Sequence, residues 1–180
     1  GLSGFRAMQS AEQSATRQAL ALLSSWLNIQ FSESVSQSHL TFALSAQPLG
    51  QGGFSYIPSF GYSSVNGIVT SISRSPQSGS VWLNASIAWS AGEWQPGGDA
   101  FLTVFHEMGH ALGLKHPFEM VGNGFTLDSS LDSRRYSVMS YTNASNCVLV
   151  SVSGTASSYR WSWRSMQPTT LMPLDFQALR

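Results

Sequence analysis

Residues 106 to 116 read His-Glu-Met-Gly-His-Ala-Leu-Gly-Leu-Lys-His, and this stretch constrains the chain more than any other. His106 and His110 are four residues apart, so on a helix their side chains stack on one face. Two neutral imidazoles on that face can grip one metal ion. Glu107 points to a neighbouring direction, near the metal without having to bind it. Gly113 supplies the left-handed conformation that ends a helix. The turn lets His116 come back to the same ion. Three histidines and an open position suit catalytic zinc, so the motif reads as a zinc hydrolase.

The segments before the motif predict what carries it. Residues 8 to 30 read as a first long helix. Ala7, Ala11, Ala15, Ala19, Leu20, Leu22, Leu23, Trp26 and Leu27 form an apolar core stripe at helical spacing. Ile29 and Phe31 begin a strand-like region. Leu40, Phe42 and Leu44 alternate with His39, Thr41 and Ala43, which predicts a half-buried strand with His39 at its surface start. Gly53 to Ile57 forms a short strand that Pro58 ends, and a proline there suits a sheet edge. Residues 61 to 80 are rich in Ser, Gly and Asn, with Ile68, Val69 and Ile72 marking a small extra hairpin. Ser80 to Asn84 is a further strand. Asp99 is placed as the N-cap of the metal helix. This order describes an α/β lobe.

Beyond His116 the periodicity stops. Residues 117 to 170 read as mostly irregular, with only Cys147 to Val152 strand-like. Pro173 and Asp175 open a last helix over 174–180. No repeat of fixed period is present, and no glycine-aspartate nonapeptide of the calcium-binding β-roll kind.

Composition bounds the partners. Of 180 residues 42% are hydrophobic, enough for a core, and only 10% are charged. The formal net charge of zero argues against nucleic acid, which calls for a basic surface, and against electrostatic binding to anionic membranes. The single cysteine, Cys147, allows no intrachain disulfide. The N-terminal Gly-Leu-Ser-Gly-Phe has neither start methionine nor signal peptide, so a mature or trimmed fragment is expected.

Chemically, zinc with three protein ligands holds a water and lowers its pKa to about 7. Glu107 can take the proton and pass it to a leaving amine. Residues 132 to 141, Asp-Ser-Arg-Arg-Tyr-Ser-Val-Met-Ser-Tyr, add a second constellation. Met139 lies in a turn-forming segment and is either an apolar floor under the metal or ordinary core. Tyr141 can reach the metal or donate a hydrogen bond to a developing oxyanion.

His106-Glu107-x-x-His110-x-x-Gly113-x-x-His116 with a downstream Ser-Val-Met-Ser-Tyr turn resembles the metzincin clan of zinc endopeptidases. Within it the chain is most similar to the serralysins. Pro117 follows the third histidine as in that family, and the stretches 11–26, 132–141 and 175–179 are similar to its first helix, Met-turn and closing helix. The resemblance implies an α/β (α+β) fold. That fold has a twisted mixed sheet with an antiparallel edge strand, two long helices, the active-site helix, and an irregular C-terminal lobe ending in a helix. It implies one catalytic domain over 1–180, with an upper lobe to about 114 and a lower lobe from about 115. The calcium-binding β-roll into which serralysins usually continue is not expected here, the chain being either a catalytic fragment or a compact member without that domain.

The resemblance further implies zinc on His106, His110 and His116, with Glu107 as general base. Met139 would be the turn methionine. Tyr141 would be both a resting zinc ligand and a catalytic residue. Gly53, Phe54, Ser55 and Tyr56 would pair with an extended protein or peptide substrate. A secreted, extracellular, bacterial, monomeric protease follows, open to a protein inhibitor, with no nucleic acid or membrane partner. The few scattered carboxylates leave calcium possible but undecided. The alternative is a catalytically inactive binding module on the same fold. Two departures stand out. The closing helix carries Leu174 where the family has the first of two aspartates, and 61–80 is longer than in the family.

Overall fold

The computed structural model describes residues 3–36, 38–120 and 124–180. The first helix, α1, spans Ser10–Trp26, shorter at both ends than the stripe predicts. Its buried face is Glu12, Ala15, Thr16, Ala19 and Leu23. Ala7 and Ala11 face solvent, and Trp26 is exposed and tilts against the Phe176 ring at 5.4 Å. Glu12 is the residue the apolar stripe does not foresee. It is buried because Arg6 donates two hydrogen bonds to its carboxylate, at 2.6 and 2.9 Å, and the Gln9 N–H a third at 2.6 Å.

Three strands form the central sheet: β1 (Thr41–Ser45), β2 (Gly53–Ser55) and β5 (Ser80–Asn84). Their order is β1-β5-β2, with β1 parallel and β2 antiparallel to β5. The mixed sheet with β2 as antiparallel edge is the one expected. Gly53 to Ser55 is shorter than the expected reach to Ile57. Ile29 and Phe31 lie outside any strand, because no strand among the described residues pairs with them. Between β2 and β5 rises a ribbon of β3 (Phe60–Val65) and β4 (Ile68–Arg74), closed by Asn66 and Gly67, both at positive φ. Two consecutive left-handed residues match the twist of a two-residue hairpin turn.

The second long helix, α2, spans Asp99–Ala111. Its N-cap is Gly98, and Asp99 is the first helical residue, where its charge suits the helix dipole. Glycine is needed at 98 because a Cβ would meet the Glu93 carbonyl oxygen at 2.4 Å. Phe101, Val104, Phe105 and Met108 are fully buried between α1, the sheet and Leu171, and they anchor α2 in the core.

The C-terminal part is less irregular than its serine content suggests. Strands β6 (Val148–Thr155) and β7 (Ser158–Ser165) form a second two-stranded ribbon, and β7 is absent from the sequence reading. Val150 pairs with Trp163 and Val152 with Trp161, all on one exposed face. A short 3-10 turn covers Ser129–Leu131, and the closing helix α3 spans Pro173–Leu179. Part of the stretch expected to be irregular, residues 121–123, lies outside the described residues.

Candidate metal centre

The end of α2 sets the site. The Gly113 N–H donates to His110 O and the Leu114 N–H to Gly109 O, both at 2.9 Å, with Gly113 at φ 103. This is the left-handed helix stop that a glycine permits. It reverses the chain and returns His116 to the helix face that carries His106 and His110.

All three imidazoles meet through Nε2. His106 Nε2 and His110 Nε2 each lie 3.1 Å from His116 Nε2. In a tetrahedral zinc site with bonds of about 2.0–2.1 Å, ligand nitrogens sit roughly 3.3 Å apart. The opposite ring nitrogens are engaged elsewhere. His106 Nδ1–H donates to Val138 O and His110 Nδ1–H to Leu114 O, both at 2.9 Å. His116 Nδ1 lies 2.7 Å from Glu119 Oε1, close but not aligned as a hydrogen bond. These contacts assign the proton to Nδ1 of His106 and His110 and leave Nε2 lone pairs converging. Buried lone pairs pointed at one another are costly unless a cation sits between them. Burial holds His106 down to about 4, and neighbouring His110 and His116 add to this. Burial also lowers His110. Both rings are therefore neutral at pH 7, the form that binds metal. The donor set fits zinc.

Glu107 is buried beside this cluster. Ser55 Oγ lies 2.9 Å from its Oε2, and burial pushes the carboxyl up to about 7 against that contact. Gly53 makes room for it, since a Cβ there would meet Glu107 Cγ at 3.0 Å and Trp82 O at 2.9 Å. The edge strand and the carboxylate are thus fitted to each other.

Below the histidines runs the turn 137–141. Met139 is buried, and a Cβ on Gly109 would meet its Sδ at 2.4 Å. The thioether fills the hollow that Gly109 leaves between His106 and His110. Asp175 holds the turn from α3. It accepts from Ser137 Oγ at 2.6 Å, Val138 N at 2.8 Å and Met172 N at 2.9 Å. One aspartate therefore makes the link, although Leu174 stands in the other's place. Tyr141 is 60% exposed, and its ring stacks on His106 at 5.5 Å and leans on His116 at 4.7 Å.

A cavity of about 520 Å³ opens at this site, lined by Gly53, Leu102, His106, Glu107, Arg134 and Tyr141 among others. Arg134 lies in the 132–141 stretch, where nothing in the local sequence signals a part in the site. It donates to Ser140 O at 3.1 Å and to Gln167 Oε1 at 3.1 Å, bracing the turn from outside. Glu119, three residues after His116, and Phe118, stacked on His116 at 5.1 Å, are also unforeseen. A carboxylate at that offset from a ligand histidine is the signal that would have found Glu119. His39 is exposed and far from this role; its carbonyl accepts from Arg74.

A family model for metallo-peptidase family M12 matches residues 5–151. The chain belongs to that family. The M12 match takes in α1, the sheet, α2, the three histidines and Met139. Family membership makes zinc the cofactor, and the close histidines are arranged as in a zinc site. Similar proteins are a serralysin from Photorhabdus sp. (strain Az29) and the metallopeptidase AprA from Pseudomonas marginalis. The first is 29% identical over 155 residues, covering 81% of this chain and 29% of that protein. The second is 29% identical over 156 residues, covering 81% and 30%. The M12 chain therefore spans under a third of the length of these relatives.

Proposed function

We propose that this chain is the catalytic domain of a zinc-dependent endopeptidase that cuts internal peptide bonds of extended protein substrates. The observation that carries the reading is the convergence of three imidazoles through Nε2, two of them anchored through Nδ1, beside the buried Glu107 carboxylate. His106, His110 and His116 hold the ion through Nε2. Zinc held there supplies a Lewis acid that polarises a carbonyl and makes a water acidic near neutral pH. Glu107 takes the water's proton on its carboxylate and returns it to the leaving amine nitrogen. Burial pushes its carboxyl up to about 7, and the positive charge of a bound zinc would draw it down again, so the two oppose each other at the group that must both take and give a proton. Ser55 orients the carboxylate from the edge strand.

Strand β2 positions the substrate. The Asn84 N–H donates to Gly52 O and the Tyr56 N–H to Ser80 O, so alternation turns the main-chain groups of Gly53 and Ser55 outward. An extended peptide adds there as a further strand, over Gly53 to Tyr56. Tyr141, lying over His106 and His116, serves as a resting ligand and as donor to the developing oxyanion. Met139 is the floor that fixes the two helix ligands. Residues 1–180 act as one catalytic domain, and a secreted, extracellular setting belongs to the same reading. No helix among the described residues is long and apolar enough to cross a membrane.

The test is a mass-spectrometric map of cuts in an unbiased peptide library, with and without a zinc chelator. Internal cuts that vanish with chelator and return with zinc support the proposal. Trimming from the ends only, or cuts indifferent to chelator, contradict it.

A further inference from the structure

The β3–β4 ribbon continues the edge that β2 begins. Tyr56 N–H donates to Ser80 O, and Gly79 N–H to Tyr56 O, both at 3.0 Å. Ser59 N–H then donates to Ser78 Oγ at 3.1 Å, and Ser75 N–H to Ser59 O at 3.0 Å. From there Phe60 pairs with Arg74 and the ladder runs to Val65 and Ile68. Residues 53–65 are thus one rail hydrogen-bonded along its inner side to 68–84, broken only around Pro58. The guanidinium of Arg74 ties the base of the ribbon to the body by donating to Ser38 O at 3.1 Å and to His39 O and Ser78 O.

The outer side of this rail carries no strand among the described residues. Ser59 turns its main-chain groups inward, so alternation turns those of Phe60 and Tyr62 outward. Edges of this kind are usually blunted by charge. This one has a bulge at Ser63/Ser64 and, within 60–74, a single charged residue at its base, Arg74. Its side chains are instead apolar and exposed: Phe60 at 59%, Tyr62 at 73% and Ile72 at 70%. β3 and β4 pack on each other rather than on the helices. Among the described residues, neither strand contributes to the core, and every residue of both is exposed.

We propose that β3 is an exosite that extends the substrate rail beyond β2. It binds the continuing backbone of an unfolded, apolar-rich polypeptide by strand addition along 60–65, away from the metal. The proposal rests on the peptidase reading above and adds its substrate class: long unstructured chains are preferred over short peptides. Continuity with the β2 edge decides the occupant, because a chain seated on Gly53 and Ser55 and still extended is delivered to Phe60 and Tyr62. Charge agrees, since a rail with almost no charge suits apolar chain rather than an anionic surface.

The test compares a peptide of about 20 residues, long enough at ~3.3 Å per residue to run along 53–65, with one of about 6 residues. Both contain the same cleavage site. Tyr62→Pro removes an outward N–H that makes no bond to β4, which an edge strand tolerates. Tyr62→Thr keeps the N–H and the strand preference. The expected result is that Tyr62→Pro lowers the ratio of kcat/KM for the long over the short peptide by roughly fivefold, the worth of about one net hydrogen bond. Tyr62→Thr should keep most of the ratio.

Hydrogen exchange on the zinc-loaded Glu107→Ala protein should show protection over 60–65 with the long peptide and not with the short one. A ratio unchanged in Tyr62→Pro, or no protection over 60–65 while the long peptide is bound at 53–55, overturns the exosite and leaves the peptidase reading standing. A wild-type protein that cuts neither peptide overturns the peptidase reading, and the exosite falls with it.

Discussion

Ser55 Oγ lies 2.9 Å from Glu107 Oε2 and 2.7 Å from the main-chain oxygen of the same residue. One hydroxyl, on the strand proposed to carry substrate, therefore touches the carboxylate proposed to carry the proton. The two parts of the mechanism are set by a single contact. Ser55→Ala removes it while leaving the histidines alone. Losing one hydrogen bond to a buried carboxyl is worth about 1–2 kcal/mol, so kcat/KM should fall roughly tenfold. Zinc content should stay at one per chain, read by elemental analysis alongside the kinetics. Parallel loss of zinc and activity would make Ser55 a structural residue only.

Asp175 acts at a distance through the turn. Its carboxylate is 2% exposed and receives three donors, one of them the N–H of Val138, whose carbonyl takes the proton of His106 Nδ1. Asp175→Ala strands buried donors and should cost about 2–4 kcal/mol by chemical denaturation. It should also weaken zinc binding by about 10- to 100-fold, as the loss of support behind a ligand does. Competition with a coloured chelator reads the second effect. Full zinc affinity in a destabilised variant would separate the link from the metal.

Gly109 and Met139 share one space. Gly109→Ala puts a methyl within 2.4 Å of Met139 Sδ, and overpacking of this kind costs about 1–3 kcal/mol. Combining it with Met139→Ala should recover part of that cost, with a coupling of about 1 kcal/mol or more. Additive losses in the double variant would show that the two do not meet.

The Arg6–Glu12 pair gives a pH signature. Burial raises the Glu12 carboxyl, but Arg6 and the Gln9 N–H together outweigh it and hold its pKa below the usual carboxylate range. A depressed folded pKa contributes stability above the unfolded value, about 4.3, and loses it as pH falls through the folded value. Glu12→Gln should lower Tm by several degrees at pH 7. The gap from wild type should close below about pH 4. A gap constant from pH 7 to pH 3 would contradict the charge-pair account.

Much of the site is legible in local sequence because its spacing is local. His106, His110, Gly113 and His116 lie within one helix end, where offsets translate directly into directions. Strands β1 and β5 are legible because Leu40 to Leu44 and Val81 to Leu83 are apolar and short. The rest depends on partners far along the chain. Ile29 and Phe31 resemble a strand start, yet no strand among the described residues comes to pair with them. Asp175 looks like a helix opener and becomes the support of Val138 only when α3 packs on the turn. β7 was obscured by its serines, although Tyr159, Trp161 and Trp163 alternate with polar residues as a strand requires. Glu12 sits on the apolar face of α1 because Arg6, before the helix, neutralises it there.

The central claim is that three histidines hold zinc while Glu107 moves the proton. The most direct measurement is internal cleavage of an unfolded protein by Glu107→Ala loaded with one zinc per chain, beside equally loaded wild type. The account predicts normal zinc content and cleavage reduced by several orders of magnitude, about 10²–10⁴ for loss of a general base. Near-normal cleavage by the zinc-loaded variant would contradict it.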